Sequence, residues 1–220
     1  MRPIVIFGAG EIAEVAEYYF RTTAGRNVVA FVVDGAYLRE RLFAQRPVVA
    51  AEEVAGQYPP GEHDAFVAIS YSRMNVVRAE KAAFMRDAGY RLTSYVSPRA
   101  NVFTEAVGAN CLILEDNTIQ PFVTIGDNVT LWSGNHIGHH ARIEDNVFIT
   151  SHVVVSGGVT VGANSFIGVN ATIRDHVSVA AFTLVGAGGL ILEDTEAEGV
   201  YMAPSPAEKR KVKSTRLPKI

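Results

Sequence analysis

The chain has 220 residues, 48% hydrophobic and 20% charged, a globular balance with room for one large or two modest domains. Its formal net charge of -3 gives non-specific nucleic-acid binding no help. The single cysteine, Cys111, excludes an internal disulfide framework; no apolar run can span a bilayer and no signal segment opens the chain, so the sequence reads as cytoplasmic, without membrane insertion.

Residues 1–98 read as an α/β domain. Pro3 to Phe7 is an apolar run suited to a buried parallel strand. Gly8-Ala9-Gly10 follows, then Ile12, Ala13, Ala16 and Tyr19 at helical spacing, then the strand Val28 to Val33, closed by Asp34. Glycines allow a tight turn and let a ligand phosphate approach N–H groups at a helix start, while an acid after the second strand can bind a ribose hydroxyl. Ala51 to Ala55 predicts a short helix, Ala65 to Ser70 a third strand, Asn75 to Ala88 an amphipathic helix, and Leu92 to Val96 a further strand. The unit is one mononucleotide-sized half, and a lone glycine fingerprint is weak, so a nucleotide-sugar site fits better than a dinucleotide site. A purely structural glycine turn is the third reading. Ser97-Pro98-Arg99 marks the boundary.

Residues 99–192 carry a different period. Fifteen branched aliphatic residues recur every six positions without a break, from Val107, Ile113 and Ile119 to Val179, Val185 and Ile191. Neither a strand nor a helix has that period, whereas a chain turning a corner every six residues brings one aliphatic side chain inward per flat side. Three sides make an eighteen-residue coil of a parallel β-helix. Small or medium residues such as Cys111, Asn117 and Ala141 stand two positions before each mark, also inward. Five coils at strand spacing make a prism roughly 24 Å tall. Outward apolar residues such as Phe148, Val154 and Phe166 call for cover from a neighbouring subunit, with three-fold closure matching three-sided prisms.

Five of the six histidines fall in this segment: His136, His139, His140, His152 and His176. None occupies an inward mark. In eighteen-residue columns His139 lies between Pro121 and Gly157, and His140 shares its column with Phe122, Gly158 and His176. A histidine can take a proton from an attacking amine or hydroxyl. Three could hold zinc, but only with ligands from two subunits, so no metal is expected. Residues 193–220 form a tail that turns basic, with Lys209 and Arg210 in its cluster, suited to a solvated end or a positive rim for phosphates.

The Ile6-Phe7-Gly8-Ala9-Gly10 opening, Asp34, the hexapeptide run, Gly138-His139 and Ala203-Pro204-Ser205-Pro206-Ala207 together resemble the NeuD/PglD-type sugar acyltransferases. The resemblance covers nearly the whole chain. It implies a Rossmann-like N-terminal domain followed by a left-handed parallel β-helix, assembled as a homotrimer. It implies acetyl-CoA as co-substrate, in a groove lined by Gly157, Val169 and Ala187, and the basic tail at Lys209 and Arg210 then suits a rim for the CoA phosphates. Gly8, Gly10 and Asp34 match the nucleotide-binding turn and acid, and His136 stands on the acceptor side. His139 matches the catalytic base. Relatives commonly follow that base with glutamate; this chain has His140, which joins His139 as a catalytic candidate, and Glu144, Asp145 or Asp175 would have to supply a carboxylate. The expected activity is N-acetylation of a nucleotide-linked amino sugar. Sugar O-acetylation, a non-catalytic nucleotide-sensing trimer and a zinc-dependent hydratase are the competing readings.

Overall fold

The computed structural model describes residues 1–203. Its first unit runs β1 (Ile4–Phe7), α1 (Glu11–Thr22), β2 (Val28–Val33), β3 (Leu42–Phe43), β4 (Arg46–Ala50), α2 (Val54–Gln57), β5 (Asp64–Val67), α3 (Val76–Asp87) and β6 (Arg91–Leu92). The sheet order is β3-β4-β2-β1-β5-β6, parallel except for the β3–β4 hairpin. Ala13, Ala16 and Phe20 of α1 pack on Ile4, Ile6, Phe31 and Phe66. Ala82 and Met85 of α3 pack on Val5, Phe7, Ala65 and Val67 on the other side. Burial on both faces explains why β1 and β2 read as continuous apolar runs. At the start of β5 the buried Asp64 carboxylate accepts hydrogen bonds from Arg26 at 2.7 Å and from Arg91 at 2.9 and 2.7 Å. Burial pushes that carboxyl upward, but the two guanidinium groups outweigh it and hold it below the ordinary aspartate value.

The predicted strand Leu92 to Val96 is two strands in two sheets. Arg91–Leu92 pairs with β5, while Tyr95–Val96 pairs with Leu112–Ile113 in the β-helix. Between them Ser94 leaves both ladders: its Oγ donates to Gly108 O at 2.8 Å and accepts from Cys111 N at 2.9 Å. The short helix falls at Val54–Gln57 rather than 51–55. The third strand stops at Val67, whose amide donates to Asn110 Oδ1 at 2.7 Å, and does not run on to Ser70.

Three parallel sheets form the faces of the prism. Face one stacks strands from Tyr95–Val96 and Leu112–Ile113 through Thr130–Leu131, Phe148–Ile149 and Phe166–Ile167 to Leu184–Val185 and Val200–Tyr201. Face two runs from Asn101–Val102 through His136–Ile137 to Leu190–Ile191, and face three from Thr124–Ile125 to Ser178–Val179. Pairing steps by eighteen residues through the middle of the prism, as in Leu131 opposite Ile113 and then Ile149. All the six-spaced aliphatic residues are buried except Val107, which is partly so, and they form one core with Cys111, Val123, Ala141, Val153 and their equivalents.

The edges are turned by residues at positive φ. The edge between faces three and one carries Asn110, Asn128, Asn146 and Asn164, with φ from 57° to 63°. Asparagine tolerates this conformation better than other side chains with a Cβ. The four also bond one another along the prism: Asn110 Nδ2 donates to Asn128 Oδ1 at 2.7 Å, Asn128 to Asn146 at 2.8 Å and Asn146 to Asn164 at 3.3 Å. Both ends of this ladder hold the first unit. Asn110 Nδ2 also donates to Val67 O at 3.2 Å, and Asn164 Nδ2 donates to Met74 O at 3.0 Å.

Face one is therefore covered from within the chain, which corrects the expectation that Phe148 and Phe166 await a neighbour. Phe148 is 2% exposed. Tyr71 packs on both rings, at 5.3 Å from Phe148 and 4.8 Å from Phe166, and the Arg78 guanidinium lies 5.5 Å from the Phe148 centroid. Arg78 is buried and reaches Thr130 Oγ1, Asn75 Oδ1 at 3.3 Å and Asn146 O at 3.0 Å. Burial pushes its guanidinium down to about 10, still charged at neutral pH. Val154, on face two, stays 37% exposed.

Candidate active site

Gly8 and Gly10 do different work in the turn between β1 and α1. Gly8 has φ +124°, and a Cβ there would stand 2.6 Å from Ala68 O, so only glycine fits. Gly10 is extended, with nothing within 4 Å of a Cβ position: it leaves space rather than relieving a clash. Its carbonyl accepts from Ala13 N and Glu14 N, opening α1 and leaving the first N–H groups ahead of the helical ladder for a ligand. A hollow of about 380 Å³ lies over this turn, walled by Ala68, Ile69 and Ser70 from the loop after β5. A second of about 370 Å³ adjoins it at Ala9 and is lined by Tyr37, Arg39 and Phe43. Asp34 follows β2, and Lys81 of α3 donates to its Oδ1 at 2.6 Å. Lys81 escaped the sequence reading because its only local signal is a place on the polar side of a helix.

The histidines occupy two of the edges and one face. His136 is half-buried on face two, between Thr118 and Val154 of the neighbouring coils. His139 and His140 are exposed at the edge between faces two and three. The His139 amide donates to Gln120 Oε1 at 2.8 Å, fixing the backbone to the coil before it. Its ring lies over Gly157: a Cβ there would meet His139 Cε1 at 2.6 Å and Nε2 at 2.8 Å. His152 and His176 lie over Gly134 and Gly158 in the same manner. His140 has φ +59° and its ring packs on Phe122 at 4.7 Å. The two adjacent imidazoles meet, Nδ1 to Nδ1, at 3.2 Å.

No carboxylate is hydrogen-bonded to His139 among the described residues. Glu144 and Asp145 lie on the edge between faces three and one, where Glu144 Oε2 accepts from Ala163 N at 3.0 Å and Asp145 Oδ1 from Asp127 N at 2.8 Å. Asp175 is exposed two coils from His139. Of the residues expected to line the acetyl-CoA groove, Gly157 joins His139, while Val169 and Ala187 are exposed on the edge between faces one and two. Lys209 and Arg210 lie outside the described residues. The first unit packs on face one, and α1 also reaches the edge between faces one and two, where Tyr19 donates to Glu115 Oε2 at 2.7 Å. Within one chain, then, the described hollow over the glycine turn and the His139 edge share no lining residue. Among the described residues no group of three His, Cys, Asp or Glu side chains is gathered to hold a metal ion, and no helix is long and apolar enough to cross a membrane.

Residues 140–175 match the family model described as bacterial transferase hexapeptide (six repeats). No curated protein matches the chain. Among solved structures, a histidine-to-asparagine mutant of perosamine N-acetyltransferase from Caulobacter crescentus, in complex with CoA and GDP-perosamine, is 26% identical, with a TM-score of 0.81 over 94% of this chain and 97% of that one. The acetyltransferase domain of PglB from Neisseria gonorrhoeae is 20% identical, with a TM-score of 0.81 over 92% and 97%. WeeI from Acinetobacter baumannii is 18% identical, with a TM-score of 0.69 over 91% and 96%. At these lower identities the last two speak for the fold alone. In structure and in its hexapeptide repeat the chain matches the NeuD/PglD-type sugar N-acetyltransferases, a left-handed β-helix hexapeptide family.

Proposed function

We propose that the chain is an acetyl-CoA-dependent N-acetyltransferase acting on a nucleotide-linked amino sugar. The observation that carries the reading is the union, in one chain, of an open glycine turn at a helix start and an imidazole presented at an exposed β-helix edge. The similarity to an N-acetyltransferase solved with CoA and GDP-perosamine supports the choice of both substrates. The N–H groups after Gly10 take the diphosphate. Asp34, held by Lys81, takes a ribose hydroxyl. His136 contacts the acceptor from face two.

In the reaction the acceptor nitrogen attacks the thioester carbonyl as His139 Nε2 takes its proton. The N–C bond forms, the C–S bond breaks, and the proton passes to the departing thiolate. The Gly157 N–H, without a hydrogen-bond partner among the described residues, donates to the developing oxyanion. Metal is not needed for any of these steps. The proposed enzyme is a homotrimer, a reading supported by the first unit covering face one while the His139 edge stays open to a neighbour. A neighbour's first unit brings the acceptor to that edge, and acetyl-CoA lies between prisms, touching Gly157 of one and Val169 and Ala187 of the next. The reaction as proposed draws on the acetyl-CoA that the cytoplasm supplies.

UDP-, GDP- and dTDP-linked amino sugars incubated with acetyl-CoA and read by mass test the reading. Gain of one acetyl group on a panel member supports it; nucleotide binding without transfer favours a sensing trimer, and transfer only to sugar hydroxyls favours O-acetylation. A fully active monomer in sedimentation equilibrium would remove the shared site.

A further inference from the structure

We infer that His140 is the positioning residue of His139, supplying as a neutral imidazole the hydrogen-bond acceptor that a carboxylate would otherwise provide. The inference rests on His139 being the base. Neutral imidazole has one donor and one acceptor nitrogen, so two rings meeting Nδ1 to Nδ1 at 3.2 Å hold a single proton between them. In the transition state the arrangement has only one solution. His139 gains a proton at Nε2, both its nitrogens then donate, and His140 Nδ1 must be the acceptor. A hydrogen bond from an imidazolium is charge-assisted and stronger than the neutral bond it replaces, so it favours the state in which the proton has left the acceptor amine.

The surroundings fix the pair from both sides. Gly157 leaves a bare backbone surface under the His139 ring, and the Gln120 bond anchors its amide. His140 turns its edge by a φ of +59° and is backed by Phe122. The two rings stand nearly perpendicular, at 84°, so their π faces do not stack and their contact is the Nδ1 to Nδ1 approach at 3.2 Å. The proton count closes without a further partner. The proton from the acceptor nitrogen resides on His139 Nε2 and leaves with the CoA thiolate, while the bridging proton stays between the two Nδ1 atoms.

Asparagine separates this role from a packing role. Asn Oδ1 stands about where His Nδ1 stands, accepts a hydrogen bond, and tolerates the left-handed backbone. His140→Ala should lower kcat by about ten- to hundredfold with both KM values little changed. His140→Asn, which keeps the acceptor but loses the Phe122 contact, should stay within about threefold of the parent. In the His139→Ala background, His140→Ala should have no further effect. Trans-hydrogen-bond 15N–15N coupling between the two Nδ1 atoms reads the pair without turnover, and should vanish in His140→Ala. Full activity of His140→Ala, equal losses in His140→Ala and His140→Asn, or absence of the coupling would each overturn the inference. If no amino sugar on the panel is acetylated but the coupling is present, the proposed reaction falls and the paired geometry stands.

Discussion

Gly157→Ala is a one-carbon change aimed at the base rather than the fold. The new Cβ would stand 2.6 Å from His139 Cε1, 2.8 Å from Nε2 and 3.1 Å from Nδ1. Carbon atoms rest at about 3.5–4.0 Å, so the ring must retreat by roughly 1 Å. The retreat is cheap for stability, because the ring is exposed and Gly157 is not among the glycines at positive φ. It is expensive for chemistry, since a displacement of about 1 Å from the productive pose costs on the order of a hundredfold. The expected result is a kcat about a hundredfold down, with thermal unfolding and acetyl-CoA affinity near the parent values. Gly158→Ala is the control. There φ is +69° and the Cβ would meet His176 Nδ1 at 2.4 Å, so stability should fall by about 1–2 kcal/mol while His139 keeps its place. Parental kcat in Gly157→Ala would show that the ring position over Gly157 is not the reacting one.

His139→Ala should cost about 10²–10⁴-fold in kcat and leave acetyl-CoA affinity intact by calorimetry, because the side chain lies outside the core. Asp34→Ala should weaken the nucleotide-linked acceptor by about ten- to hundredfold and spare acetyl-CoA; equal loss of both ligands in a folded protein would contradict separate sites. Arg78→Ala strands Thr130 Oγ1 and Asn146 O and empties volume under Phe148, so denaturant unfolding should show a loss of about 2–4 kcal/mol, and no loss would mean the buried cation is only tolerated. Asp64 sets an acid limit. Its folded-state value lies below the unfolded one, so its contribution is complete above about pH 4 and is lost as pH falls through the depressed folded value. Asp64→Asn should flatten that acid limb in unfolding measured against pH.

The prism was legible because its signal is an inward aliphatic residue at every sixth position, unbroken from Val107 to Ile191, and the first unit leaves Ile113 and Ile149 in that phase. The β1-turn-α1-β2 opening was legible for a similar reason: buried on two faces, its strands are continuous apolar runs. The seat of the first unit was not. Phe148 and Phe166 announce an outward apolar stripe, but that Tyr71 covers it depends on long-range contacts, among them the Ser94 bonds to Gly108 and Cys111 and the Asn110 and Asn164 bonds to Val67 and Met74. The asparagines at 110, 128, 146 and 164 do carry a signal of their own, an eighteen-residue period in a residue suited to left-handed corners. At the site, the adjacency of His139 and His140 is written in the chain, but the direction each ring takes comes from Gly157 and Phe122, one coil away.

The asparagine ladder limits how this protein can change length. β-Helices lengthen and shorten by whole coils, since removing eighteen residues restores every inward position. Here the coils between Asn110 and Asn164 also span a fixed interval, three strand steps or roughly 14 Å, whose ends grip Val67 and Met74 on either side of one loop. Excising a coil inside that interval would leave a closed core but carry the Met74 anchor one rung away from its partner, and Tyr71 and Arg78 with it. Coils beyond Asn164 bear no such tie to Val67 and Met74. Duplication and loss should therefore accumulate at the far end of the prism, with the number of rungs beside the first unit held constant by the length of the segment that straddles them.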